Sequence, residues 1–70
     1  DPKTVVIGEV GLGGEVRSVP RIERRIKEAI NMGFTSCILP KRNFKGLSEA
    51  LAQKITLRGI EYVEEAIVLK

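Results

Sequence analysis

The chain has 70 residues, with 12 Lys and Arg against 9 Asp and Glu, a formal net charge of +3, and 43% hydrophobic residues. One small domain is all that such a length supports. A single cysteine and the absence of histidine exclude an internal disulfide, a thiolate or imidazole zinc site and the commonest general base, so no metal or cofactor is expected.

Residues 4–10 are β-branched and apolar apart from Gly8 and Glu9, and the pattern predicts a strand. Gly11, Gly13 and Gly14 then form a turn, and residues 15–19 alternate as a second strand. The glycines do not make a phosphate loop, because no Gly-Lys-Ser/Thr follows and they join two strands instead of opening a helix. Ile22, Ile26, Ala29, Ile30 and Gly33 keep helical spacing, which predicts a helix over residues 20–32 with Pro20 in its first turn and Gly33 as its C-cap. Glu23 and Lys27 stand in the favourable i, i+4 order and are expected to pair.

Residues 34–39 read as a second buried strand, stopped by Pro40, with Cys37 and Leu39 on one face and Ser36 and Ile38 on the other. Among apolar neighbours and without a histidine partner, Cys37 reads as a structural residue. A basic loop follows at residues 41–45. Asn43 is placed to cap a short helix whose apolar positions are Leu47, Ala50 and Leu51. Residues 54–57 read as a last strand. The stretch from Ile60 to Val63 fits either its extension or a final helix, and the spacing of Ile60, Val63, Ala66 and Ile67 favours a helix begun at Gly59. The order β-β-α-β-α-β-α describes an α/β (α+β) domain, a small mixed sheet with three helices whose crossovers join parallel strands.

Charge is unevenly spread. Arg17, Arg21, Arg24, Arg25, Lys27, Lys41, Arg42 and Lys45 face only Glu23 and Glu28 between positions 17 and 45. Such a segment is the footprint of a nucleic-acid contact, or simply a solvated helix face with a charged loop. The contact candidates are Arg17, Arg21, Arg24, Arg25, Lys41 and Arg42. With Phe34, Phe44 and Tyr62 the only aromatic residues, base stacking is poorly served and phosphate attraction is the main term expected. No apolar run approaches the ~20 residues of a membrane span. No signal-peptide pattern is visible, and a lone cysteine suits a reducing compartment, so a cytoplasmic location without a membrane partner is expected.

The run GEVGLGGEVRSVPRIERRIKEAINMGF, followed by CILPKRN, resembles the C-terminal Lon-protease-like domain of the bacterial RadA (Sms) DNA repair proteins. It is similar, more distantly, to the proteolytic domain of Lon. The resemblance is specific from about Val5 to Asn43 and implies the C-terminal half of a Lon-like domain, with all 70 residues one fragment of it. Lon-type peptidases use a serine–lysine dyad, and in their pattern the lysine follows the isoleucine that Ile22 matches. Glu23 stands there instead, and the serine belongs to a segment before the first strand, outside these residues. The resemblance therefore implies a non-catalytic module of a DNA-dependent ATPase that works as a ring, joining subunits and offering a basic surface to DNA. A fragment of a true Lon-type peptidase and a stand-alone nucleic-acid-binding module are the alternatives. Self-association is also expected: Val5 and Ile7 point one way from the first strand, Val6 and Val10 the other, so both of its faces need cover.

Overall fold

The computed structural model describes residues 3–69. In chain order they form β1 (Thr4–Val6), β2 (Glu9–Val10), β3 (Val16–Arg17), α1 (Ile22–Asn31), β4 (Ser36–Pro40), a 3-10 turn (Lys41–Phe44), α2 (Glu49–Lys54), β5 (Thr56–Ile60) and α3 (Val63–Leu69). Strands of both orientations are present, as the sequence predicts, but they divide between two sheets. β1, β4 and β5 make a parallel sheet with β4 in the centre, while β2 and β3 make an antiparallel ribbon.

The division corrects the reading of residues 4–10 as one strand. β1 follows β4 from Thr4 opposite Ser36 to Val6 opposite Ile38, and the Ile7 N–H donates to the Ile38 carbonyl at 2.8 Å. The same register would place Gly8 beside Pro40, where β4 ends and the 3-10 turn begins. With no ladder left, the chain leaves the sheet and Glu9–Val10 pairs with β3. The glycine turn closes this hairpin as expected: Gly11 donates to the Glu15 carbonyl and Gly14 to the Gly11 carbonyl. Hydrogen bonds from the backbone N–H groups of Glu15 itself and Gly13 hold the Glu15 carboxyl below its usual pKa, with Arg17 a smaller contributor.

α1 starts two residues later than predicted. Arg21 takes the left-handed conformation (φ 57, ψ 40), so Pro20 and Arg21 form a turn before the helix and Pro20 is not in its first turn. At the other end the prediction holds. Gly33 has φ 94, its N–H donates to the Ile30 carbonyl, and that of Phe34 donates to the Ala29 carbonyl. These two bonds are a Schellman closure, which needs a residue with positive φ at the glycine position.

Ile22, Ile26 and Ala29 of α1, with Leu51 and Ile55 at α2, pack on Cys37 and Leu39 of β4. Ile38 points to the opposite face, where it packs with Ile60, Ala66 of α3 and Val16 of the ribbon. The predicted alternation along β4 therefore puts α1 and α2 on one side of the sheet and α3 on the other.

Three further expectations are corrected. The cap of α2 is Ser48, whose hydroxyl accepts from the Leu51 N–H, and not Asn43, which lies within the 3-10 turn. β5 runs on to Ile60, so Gly59 is a strand residue and not a helix start. α3 begins at Val63, where the Glu65 carboxylate reaches back to the N–H groups of Glu61 and Tyr62 and satisfies donors that the helix leaves orphaned. No helix among the described residues is long and apolar enough to cross a membrane.

Candidate nucleic-acid interface

In a parallel sheet the connections after each strand collect at one end, which is where ligands of open α/β sheets bind. Here that end gathers the hairpin, the start of α1, the 3-10 turn and the start of α3. Asn43 ties two of these together. Its Oδ1 accepts from the Val19 N–H at 2.9 Å and its Nδ2 donates to the Val19 carbonyl at 3.0 Å. The side chain thus behaves like one more strand residue and fixes the turn bearing Lys41 and Arg42 beside the chain entering α1. Neither its position nor its type announces this role in the sequence.

The six candidate cations fall into two groups. Arg21, Arg24 and Arg25 lie along the exposed face of α1 and, with Glu28, line a shallow open concavity. Helical spacing puts Arg24 and Arg25 on the face of α1 turned away from the sheet, and Arg21, at the left-handed N-cap, lies beside them. One of them is engaged: Arg24 Nε stands 3.5 Å from Glu28 Oε1. Lys27 lies round the helix, over the groove between α1 and α2.

Arg17, Lys41 and Arg42 sit among carboxylates instead. Arg17 pairs with Glu15 at 3.5 Å and Lys41 with Glu61 at 3.9 Å, while Arg42 lines a small hollow with Glu15 and Glu61. These are exposed pairs that add little to stability, yet they offset the positive potential locally. Glu61 is remote in sequence from both cations, so the partition is invisible without the fold.

Glu23 is not paired with Lys27. Its Oε2 accepts from the Ser48 N–H at 3.1 Å, so the carboxylate joins the first turn of α1 to the start of α2. Cys37 is fully enclosed, and burial pushes its thiol up to about 11 from 9.0. In the unfolded chain the thiol ionises nearer 9 and binds fewer protons than the folded one above that pH. Stability is therefore intact below about pH 9 and falls as the pH rises towards 11. A thiol reagent at neutral pH is expected to leave the folded chain unmodified and to label it fully in denaturant. Rapid labelling without denaturant would refute the burial. Among the described residues no cluster of three or more His, Cys, Asp or Glu is placed to hold a metal ion.

No family model matches the chain. It is 46% identical over 66 residues to the DNA repair protein RadA of Chlamydia pneumoniae, covering 94% of this chain and 15% of that protein. The RadA of Bacillus subtilis is 45% identical over 67 residues, and that of Streptococcus pneumoniae 39% over 67, each covering 96% of this chain. The chain spans 14% and 16% of those two proteins, so it is similar to one short segment of each.

Proposed function

Taking the chain as the sequence counterpart of one segment of the RadA DNA repair proteins, we propose that it is a non-catalytic, Lon-like module of a RadA-type protein. In this reading it contacts DNA through phosphates, without sequence preference, and assembles with further copies of its chain. The observation that carries the DNA contact is the outer face of α1, where three exposed arginines meet a single carboxylate, Glu28. Arginine forks suit phosphate oxygens, and the face carries no aromatic side chain for stacking on single strands.

Binding to duplex DNA tests this reading. With three phosphates neutralised, log K is expected to fall against log salt with a slope of about −2.7. Arg24→Glu with Arg25→Glu is expected to weaken binding and bring the slope to about −1 or shallower. Salt-independent binding, or binding indifferent to the double change, refutes the contact.

The non-catalytic part rests on Glu23. A carboxylate bonded to the Ser48 N–H is no general base for a serine, and the position is occupied by a structural task. Neither the chain nor Glu23→Lys is expected to cleave an unfolded casein-type substrate. Cleavage that survives repurification and varies with residue 23 overturns that assignment.

A further inference from the structure

Between α1 and α2 the surface is not filled. Each of these helices lies between two parallel strands, so both run back along the sheet in the same direction. The bond from the Ser48 N–H to Glu23 ties their starts together. Past that tie their later turns leave a groove of ≈ 250 Å³, lined by Lys27, Ile30 and Asn31 of α1 and by Leu51 and Lys54 of α2. Its floor is apolar: Leu51 is 4% exposed and belongs to the core, and Ile30 packs partly buried against that core. Its lips are basic. Lys27 and Lys54 are exposed, one on each helix, and no carboxylate lines the groove.

The two ammonium groups have no acidic company of their own. Neither pairs with a carboxylate among the described residues. The acids of α1 on either side of Lys27 are engaged, Glu23 by the Ser48 N–H and Glu28 by Arg24. Lys54 answers the carbonyl end of α2, but that end carries only about half a negative charge against a full positive one. We propose that the groove docks a short acidic peptide segment of another protein. One large apolar side chain of the peptide lies on Ile30 and Leu51, and carboxylates on either side of it are held by Lys27 and Lys54. Size and chemistry both select this occupant. The groove is smaller than the roughly 300–1,000 Å³ of a pocket that encloses a drug-sized molecule, so it takes a side chain and not a whole ligand. Phosphates of duplex DNA would meet the lysines but have nothing to lay on the apolar floor, which is recessed between the helices. A peptide satisfies floor and lips together, its apolar anchor giving affinity and its charges giving orientation. The site is separate from the DNA contact and does not depend on it.

Fluorescence anisotropy of a labelled peptide, Glu-Asp-Leu-Phe-Asp-Glu, titrated with the whole chain at low salt tests the proposal, with circular dichroism verifying each variant's fold. Saturable binding is expected. Exchanging Leu-Phe for Ala-Ala, or the acids for Gln and Asn, is expected to weaken it by about tenfold in each case. Lys27→Glu with Lys54→Glu is expected to cost about tenfold or more, and this variant is expected to take up Lys-Arg-Leu-Phe-Arg-Lys, which the unmodified chain refuses. Lys45→Glu with Arg58→Glu makes the same change in net charge away from the groove, and is expected to alter binding by no more than about twofold. Equal losses in the two double variants, or full binding of the Ala-Ala peptide, overturn the proposal in favour of general attraction to a basic chain. Amide shifts of the unmodified chain locate the peptide without any substitution. Movement is expected at Lys27, Asn31 and Lys54, and movement centred on Arg24 and Arg25 overturns the site. Displacement of the peptide by duplex DNA, with duplex binding also lost in Lys27→Glu with Lys54→Glu, overturns it in favour of a phosphate surface. Absence of any peptide binding removes the docking site and leaves the arginine face of α1 as it stands.

Discussion

Replacing Gly59 with alanine is expected to destabilise the chain by about 1–3 kcal/mol, the range for overfilling a packed site. A Cβ at this strand position would lie 2.8 Å from Phe44 Cδ2 and 3.1 Å from the Lys41 Cα, with Phe44 Cε2 closer still. The ring is 38% exposed and has room to swing outward, but the Lys41 contact is backbone and yields only if the 3-10 turn lifts off β5. The two contributions are separable. Phe44→Ala removes the ring clash, so Gly59→Ala is expected to cost less in that background than in the unmodified chain. Urea unfolding of the four proteins, with unchanged m, gives the coupling between the two positions. Equal cost in both backgrounds would show that the ring does not oppose the added methyl group.

Asn43→Ala is expected to cost a similar amount, about 1–3 kcal/mol, because it strands a donor and an acceptor on Val19 at once. Val19 is buried, 7% exposed, so water does not readily replace the lost partner. Asn43→Asp keeps an acceptor for the Val19 N–H but sets an oxygen against the Val19 carbonyl, and it is expected to retain no more than half of the stabilisation. Amide exchange at Val19 is the direct measurement. It should quicken in both variants, and unchanged exchange would contradict the role given to the side chain. Arg21 adds a second readout. Its left-handed backbone stores strain of order 1–3 kcal/mol. Release of the neighbouring Val19 lets that strand-to-helix turn relax, with a change in the Arg21 backbone shifts.

What the residues disclosed by themselves were the features with a repeat. The apolar face of α1 recurs through Ile22, Ile26 and Ala29, and the alternation of β4 separates Cys37 and Leu39 from Ile38, so both elements and the two-sided packing were legible. Gly33 was legible because a helix end is a local event. Most of the misread positions share a cause. Asn43, Gly59 and Glu23 each take their conformation or bond from a residue far along the chain, while Pro20 and Arg21 form a turn that helical spacing does not reveal. Asn43 answers to Val19, Gly59 to its ladder partner Leu39 and Glu23 to Ser48. Propensity gave each its default role, as a helix start, a cap or a surface pair, and a tertiary partner overrode it. The basic segment divides in the same way. Arg24 and Arg25 follow from helical spacing and Arg17 pairs with its near neighbour Glu15, whereas Glu61 reaches Lys41 and Arg42 only across the fold.

The central place of β4 also governs the order in which this chain can acquire its shape. Among the described residues β1 meets its sheet partner where Thr4 faces Ser36, and β5 where Thr56 faces Ser36, so each pairing of the parallel sheet spans a helix and its connections. Among the described residues β1 has no sheet partner before β4, and the apolar face of α1 packs on Cys37 and Leu39 of that same strand. Only the hairpin, with Val10 opposite Val16, closes over a short loop and is available early. High separation between partners slows folding, because loop entropy is lost before contacts offset it. The transition state should accordingly contain β4 with α1 against it, giving high φ-values at Ile26 and Leu39. Low values are expected at Ala66, where α3 docks last on a sheet already assembled.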